Sequence, residues 1–293
     1  MMEHGGNVWA GGGPEGWLDF SANLRPEGPP DWVTRAMERA VHRARYYPER
    51  SMERARGGMA AYLGVAPENV LPTAGGIAAI DLALSLDRGR VLTSPPTFGE
   101  YARRARAHDR AAEEYAGPVR PGDTVVLCNP NNPTGARVGA ADVLRLAESV
   151  AMQGGTLLAD EAFVDFCEPG TTVRRHVREG LIVAGSLTKI LGVPGALLGY
   201  VLAEARTVAR MERLALPWTL NAMAAEIAAE LGGHTGELRA DAQANALRRA
   251  RFAAALEGLG ARPMPSAANF LLVDFGRDMT DAARRLREEG ILV

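Results

Sequence analysis

Lysine is almost missing from this sequence. Of its 33 basic residues, 32 are arginine and one, Lys189, is lysine. Lysine is ordinarily among the commonest residues, and arginine serves as well for surface charge and solubility. Arginine cannot shed its proton and attack a carbonyl, because its pKa lies too high. The scarcity therefore singles out one position, in the run Ser186-Leu187-Thr188-Lys189, for amine chemistry.

Cysteine is scarce too. Cys128 and Cys167 lie inside apolar runs, too few for a disulfide framework or a metal site. They read as buried small hydrophobes in a reducing compartment. An excess of charge of either sign is also lacking: the formal net charge is −2, which gives no support for nucleic-acid binding. The N-terminal MMEHGGNVWAGGG lacks the basic region and apolar stretch of a signal peptide, and no run reaches the length of a membrane span. A cytoplasmic protein without nucleic-acid or membrane partners is the expectation.

What is present is ordinary for a soluble globular chain: 293 residues, 47% hydrophobic and 23% charged. That length buries a large core and suggests roughly two domains. The 33 glycines and 18 prolines fit many tight turns. Arginines scattered among acids, as in RRARAHDRAAEE at 103–114, read as solvated helix faces. His42, His108, His176 and His234 have no partner motif and read as surface residues, and Trp218 reads as packing.

Short apolar runs alternate with amphipathic stretches through the middle of the chain. The pattern predicts strands at Val91–Thr93, Thr124–Cys128, Thr156–Asp160, Leu181–Gly185 and Leu198–Leu202. It predicts helices near 51–63, 76–86, 99–108 and 139–152. Strands apolar throughout and separated by helices imply a mostly parallel sheet covered on both faces. Residues 1–30 read as an extended arm, followed by a helix near 31–44. A long Arg- and Ala-rich helix at about 235–259, an apolar strand Asn269–Val273 and a helix near 280–289 complete the expectation.

In parallel sheets ligands sit beyond the carboxyl ends of the strands. NPNNPTG, Asp160, SLTK and SPPTFGEY all fall there. Each alone has a plain structural account, as a turn, a helix cap or packing. Together they fit one chemistry. An amine that forms a Schiff base, an acid that keeps a heteroaromatic nitrogen protonated and a flat ring to stack on it describe a pyridoxal phosphate site.

TAGG, PPTF, NPNNPTG, DEAFVDF, SLTK and PGALLGY occur in the order and approximate spacing of the fold-type I pyridoxal phosphate enzymes. With HGGN, DFSANLRPEGPP, RYYPE and PWTLNAMA, the chain most resembles the threonine-phosphate decarboxylases of cobalamin biosynthesis, close relatives of histidinol-phosphate aminotransferases. The resemblance covers residues 4 to 293 and implies an α/β fold with a mostly parallel, seven-stranded-type sheet between helices, plus a small α+β domain. It implies an arm and part of the small domain in 1–45, a large cofactor-binding domain in 46–235 and the rest of the small domain in 236–293.

By the same resemblance, Lys189 would form the Schiff base with pyridoxal 5'-phosphate and Asp160 would pair with the pyridinium nitrogen. Asn132 would hydrogen-bond the phenolic oxygen, and Phe98 would stack on the ring. Ser186 and the backbone N–H groups of Gly75 and Gly76 would hold the phosphate, and Tyr47 would reach it from the second subunit of a homodimer. His4 and Asn23 would approach a small phosphorylated amino acid substrate. No metal is implied. Phe163 stands where many aminotransferases have tyrosine, and the decarboxylases also tend to read DEAF. The implied reaction is decarboxylation of L-threonine O-3-phosphate to (R)-1-amino-2-propanol phosphate. A histidinol-phosphate-type aminotransferase shares every cofactor contact, and a degenerate member without catalysis is the third reading.

Three departures from the family pattern stand out. Leu197 in PGALLGY replaces an arginine that pairs with the cofactor phosphate. TAGGIAA lacks the polar or acidic side chains usual before the phosphate-binding helix. The chain stops at GILV, where relatives continue through a strand pair and a helix that supply the arginine for the substrate α-carboxylate. The small domain is therefore expected to be incomplete at its C-terminal end.

Overall fold

A computed structural model describes residues 5–11 and 13–293 of the chain. The arm contributes one short strand, β1 (Leu18–Asp19), and leads into helices α1 (Asp31–Arg43) and α2 (Glu53–Leu63). The central part runs β2 (Val70–Ala74), α3 (Gly75–Leu84), β3 (Val91–Thr93), α4 (Glu100–Ala107), β4 (Ala112–Glu114), β5 (Thr124–Cys128) and α5 (Ala140–Met152). It continues through β6 (Thr156–Asp160), β7 (Leu181–Ser186), α6 (Leu187–Ile190), β8 (Leu198–Leu202), α7 (Ala205–Glu212) and α8 (Ala222–Glu230). The chain then forms the long α9 (Thr235–Gly258), β9 (Arg262–Pro263), β10 (Val273–Asp274), α10 (Thr280–Glu288) and β11 (Ile291–Leu292).

Seven strands form one sheet in the order β2-β8-β7-β6-β5-β3-β4. From β7 to β4 all neighbours are parallel, and β8 is antiparallel to both β7 and β2. The fold is thus α/β with a mostly parallel sheet. Successive strand residues point to opposite faces, and both faces are packed. Val125, Leu157, Leu181 and Val183 face a core with Met59, Leu63, Val143, Ala147 and Ile227 of α2, α5 and α8. Val126, Leu158, Ile182 and Ala184 face a second core with Ala79, Ile80, Tyr101, Ala105 and Met211 of α3, α4 and α7. This two-sided burial is why the middles of these strands are apolar on both faces. Each fully buried Leu, Ile or Val contributes about 1.5–3 kcal/mol.

Helix α1 buries Trp32, Val33, Ala36 and Ala40 along one stripe and packs on α8. The Asn221 side chain accepts from the Ala224 N–H (2.9 Å) and caps the start of α8. Two small sheets lie outside the large one. β1 pairs in parallel with β11, Leu18 opposite Ile291, and β9 pairs antiparallel with β10.

The expected strand Asn269–Val273 is corrected: strand geometry begins only at Val273, because residues 267–269 form a bend whose Ala267 N–H donates to the Gly135 carbonyl (2.8 Å). The reading of 103–114 as solvated helix faces also fails at Arg110. That side chain is buried, and its guanidinium donates to the carbonyls of Leu84 (2.7 Å) and Gly89 (2.6 Å) and to the Thr124 hydroxyl (2.8 Å). His108 and His234 are half-buried rather than free on the surface. His108 meets Asp81 at 2.7 Å and His234 stacks on Trp32 at 4.1 Å. Among the described residues, no helix is long and apolar enough to cross a membrane.

Candidate active site

The register of the sheet sets the geometry of the site. Ala74 lies opposite Leu198, Ser186 opposite Gly199, Ala184 opposite Asp160, and Asp160 opposite Cys128. The carboxyl ends of β2, β7, β6 and β5 therefore share one edge of the sheet. The segments that leave this edge carry Gly75 and Gly76, Ser186 and Lys189, Asp160, and Asn132. Phe98 follows β3 on the same edge.

Asp160 sits at the end of β6 and is 4% exposed. Its carboxylate accepts from the Tyr101 hydroxyl (2.6 Å) and the Ala162 N–H (3.0 Å). Burial pushes its pKa up, and the two hydrogen bonds oppose that rise. Among the described residues no cationic side chain pairs with it. A buried carboxylate without a counter-charge is costly, so the position is suited to receive a cation. Phe98 stands edge-on to Tyr101, with centroids 5.6 Å apart and planes at 84°. Tyr101 was not foreseen as the partner of Asp160. No local signal marks it, because Phe98 precedes the first residue of α4 and helical spacing does not relate the two rings.

The loops after β3 and β5 are tied together by Asn131. Its amide donates to the Pro96 carbonyl (3.0 Å) and to Thr134 Oγ1 (2.9 Å), and its Oδ1 accepts from the Thr97 hydroxyl (2.8 Å). Asn132 is half-buried beside it. Gly135 has φ +71°, and a Cβ there would stand 2.1 Å from Ser266 Oγ, so this turn needs glycine.

Lys189 lies on the one-turn helix α6, directly after β7. Its ammonium donates to the backbone carbonyl of Ala22 (3.3 Å), and Nζ lies 5.9 Å from the centre of the Phe163 ring. Phe163 in turn meets Phe270 edge to face at 5.0 Å. Desolvation lowers the lysine pKa, which enlarges the neutral, nucleophilic fraction at neutral pH.

Beyond Lys189 the site changes character. Helix α3 opens at Gly75 (φ +83°) with no acidic residue in its first turn. Its free N–H groups and dipole favour an anion. A Cβ on Gly76 would come within 3.1 Å of Ser186 Cβ, so the glycine keeps the helix start tight against Ser186. Ser186 is buried, with its Oγ 3.1 Å from Thr188 Oγ1. Leu197 lies over Gly75: a Cβ added there would be 3.7 Å from Leu197 Cδ2. Leu197 is 52% exposed and holds a left-handed conformation (φ 52°, ψ 64°), uncommon and strained for leucine.

Tyr47 is exposed at the surface of the chain and stacks on Trp218 at 4.7 Å. Asn23 lies one residue after the carbonyl that holds Lys189, in a left-handed turn (φ 49°). His4 lies outside the described residues. Burial pushes both thiols up to about 12, Cys128 and Cys167 alike, which keeps them protonated and poorly nucleophilic. Among the described residues no group of three or more His, Cys, Asp and Glu could hold a metal ion.

The residues gathered at the edge fit pyridoxal phosphate at three points. A desolvated amine stands at one, a buried acid without a counter-charge at the second, and a helix N-terminus with a buried hydroxyl at the third. Comparison with known proteins agrees. The profile of the family "Aminotransferase class I and II" matches residues 15–293. A threonine-phosphate decarboxylase from Sinorhizobium sp. is 35% identical over 94% of this chain and 84% of its own length. A histidinol-phosphate aminotransferase from Moorella thermoacetica is 28% identical over 94% of this chain and 77% of its own. The crystal structure of histidinol-phosphate aminotransferase from Sinorhizobium meliloti in complex with pyridoxal-5'-phosphate superposes with a TM-score of 0.84. It is 22% identical, and the match covers 93% of this chain and 80% of that one.

Proposed function

The chain belongs to the aminotransferase class I and II family and is a pyridoxal 5'-phosphate-dependent enzyme; from that premise we propose that it decarboxylates L-threonine O-3-phosphate to (R)-1-amino-2-propanol phosphate. The observation that carries this choice is the apolar wall of Phe163 and Phe270 beside the Lys189 amine. Loss of a carboxylate as neutral carbon dioxide is favoured where water is excluded, and no phenol hydroxyl stands at position 163. The resemblance to the Sinorhizobium decarboxylase over 94% of the chain supports the same reading.

When bound, the cofactor supplies an electron sink conjugated to the substrate nitrogen. The roles assigned to the chain's own residues, that of Tyr101 aside, are those the family resemblance implies. Lys189, whose pKa desolvation lowers, presents Nζ as the nucleophile and afterwards as the group that returns a proton to the α-carbon. Asp160 gains its missing counter-charge by keeping the proton on the ring nitrogen, and Tyr101 keeps Asp160 in position. Phe98 is assigned to cover the ring, and the Asn132 amide to bond the phenolic oxygen. The Gly75 and Gly76 N–H groups and Ser186 hold the phosphate.

Tyr47 is assigned to the phosphate of a second copy of this chain in a homodimer. Its 81% exposure leaves it available for that contact. His4 and Asn23 are assigned to the substrate. Leu197 over Gly75 favours one other reading, a member of the fold that holds cofactor weakly and does not turn over.

The test is carbon dioxide release from L-threonine O-3-phosphate by protein loaded with pyridoxal phosphate. Release without any keto acid is the expected result, and Lys189→Ala abolishes it. Consumption of the amine only when a keto acid is present overturns decarboxylation in favour of amino transfer. A visible cofactor band that depends on Lys189, with turnover of neither kind, supports the non-catalytic reading.

A further inference from the structure

Asn269 fell inside an expected strand, and the structure gives it a different task. Its Nδ2 donates to two consecutive carbonyls of the arm, Asn23 (2.8 Å) and Leu24 (3.3 Å). Its Oδ1 is buried and has no hydrogen-bond partner. An unpartnered buried acceptor is a cost, and an apolar side chain of the same shape would remove it. What such a side chain could not do is supply donors to the two carbonyls.

The arm turn held in this way touches the reactive lysine from both sides. The Ala22 carbonyl accepts from Lys189 Nζ (3.3 Å), and the Arg25 N–H donates to the Lys189 carbonyl (3.0 Å). The segment around Asn269 is itself anchored to the site. Ala267 N–H donates to the Gly135 carbonyl (2.8 Å), and Phe270 packs on Phe163. We propose that Asn269 is a positioning residue that clamps the arm turn Ala22–Arg25 over Lys189, so that the half-buried amine has a backbone carbonyl as its partner.

The inference takes Lys189 as the reactive amine, as in the proposed function. Desolvation is the one cause behind the lowered pKa of Lys189, and the clamped turn is part of what excludes water. The charged groups on the neighbouring elements are already engaged. Arg25 pairs with Asp241 of α9 (3.0 Å), and Asp160 is held by Tyr101 (2.6 Å). Removing the clamp should therefore hydrate Lys189 without bringing a new charge to it.

The chain's single lysine makes the test direct. Trace acetylation with acetic anhydride across a pH series, read by mass spectrometry on the peptide that contains Lys189, gives the titration midpoint of that amine without any cofactor. In the unaltered protein the midpoint should lie below the ordinary lysine value of about 10.4. In Asn269→Ala it should rise by roughly one pH unit toward that value, a tenfold fall in the neutral fraction at a given pH. Asn269→Leu, which keeps the branched shape without the donors, should behave alike, and Asn245→Ala, a buried asparagine of α9, should leave the midpoint unmoved.

Folded Asn269 variants with an unshifted midpoint, or an equal shift in Asn245→Ala, overturn the proposal. Should neither Asn269 variant fold, hydrogen exchange in the unaltered protein decides. The Arg25 amide is expected to be protected, and exchange at the rate of a free loop overturns the clamp. Because none of these readouts uses cofactor, a protein that shows the shift but forms no visible band loses the functional reading and keeps this one.

Discussion

The two ends of the site are built on different principles. At the ring end, Asp160 is buried, Tyr101 and Ala162 hold it at 2.6 and 3.0 Å, and Phe98 packs on Tyr101. At the phosphate end, helix α3 offers backbone N–H groups beside Ser186, and the position that could carry a cation is a half-exposed leucine. The ring end holds a buried acid that lacks a counter-charge. The phosphate end offers dipoles in place of a charge. Charge-assisted hydrogen bonds are roughly twice as strong as neutral ones, so the contrast predicts a site that orients a bound ring tightly and retains it loosely.

The largest effect should come from breaking the ring end. Asp160→Asn removes the carboxylate that would keep the ring nitrogen protonated. Loss of one partner from a buried ionic pair costs about 3–5 kcal/mol, so kcat should fall by roughly 10³-fold. The same substitution should leave the unloaded protein at least as stable, because burial already disfavours the charged form of Asp160. Turnover and thermal unfolding measured on the same preparation check both halves. Equal turnover in Asp160→Asn would show that the ring end is ordinary buried packing.

Next in size is repair of the phosphate end. Leu197→Arg places a guanidinium over the start of α3, where a bidentate contact to phosphate becomes available. A hydrogen bond to a charged group contributes about 1.5–3 kcal/mol, so the affinity for pyridoxal phosphate should rise about 10- to 100-fold. The affinity for pyridoxal, which has no phosphate, should stay unchanged. Titration of the visible band with both compounds separates a phosphate contact from general tightening. An equal gain for pyridoxal would remove the assignment of this end to phosphate.

Much of this contrast is legible in the sequence alone, and the physical reason is burial. The middles of Thr124–Cys128 and Thr156–Asp160 are apolar because both faces of the sheet are covered, so their ends and the residues after them stand out. The edge strands gave no such signal. Val70–Ala74 contains a proline and Ala112–Glu114 two glutamates, as suits strands with one open side. Contacts between distant segments were illegible. Tyr101 meets Asp160 across 59 residues and Asn269 meets Asn23 across 246, and no local pattern marks either pair. Arg110 misled for a related reason: the carbonyls that surround it come from loops whose course only the fold defines.

The smallest predicted effect tests whether burial of acid at this edge is general or particular to Asp160. The next residue, Glu161, is also buried, yet it points into a different set of partners. It accepts from the Thr172 hydroxyl (2.5 Å) and the Val173 N–H (2.7 Å), and desolvation raises its pKa from the ordinary 4.5 to about 7. A carboxyl whose pKa is higher folded than unfolded binds its proton more tightly in the native state. Stability is then full below the unfolded pKa and is lost as pH rises through the folded one. From pH 5 to pH 7 this single group should therefore cost about 2 kcal/mol of stability. Glu161→Gln can keep both hydrogen bonds, with its amide donating to Thr172, and should flatten that slope in denaturant melts while cofactor affinity stays as it was. If the slope persists in Glu161→Gln but vanishes in Asp160→Asn, the titrating acid of this edge is the one facing the ring. The contrast between the two ends would then extend to pH: the ring end would lose stability near neutrality until a cation arrives, and the phosphate end would be indifferent.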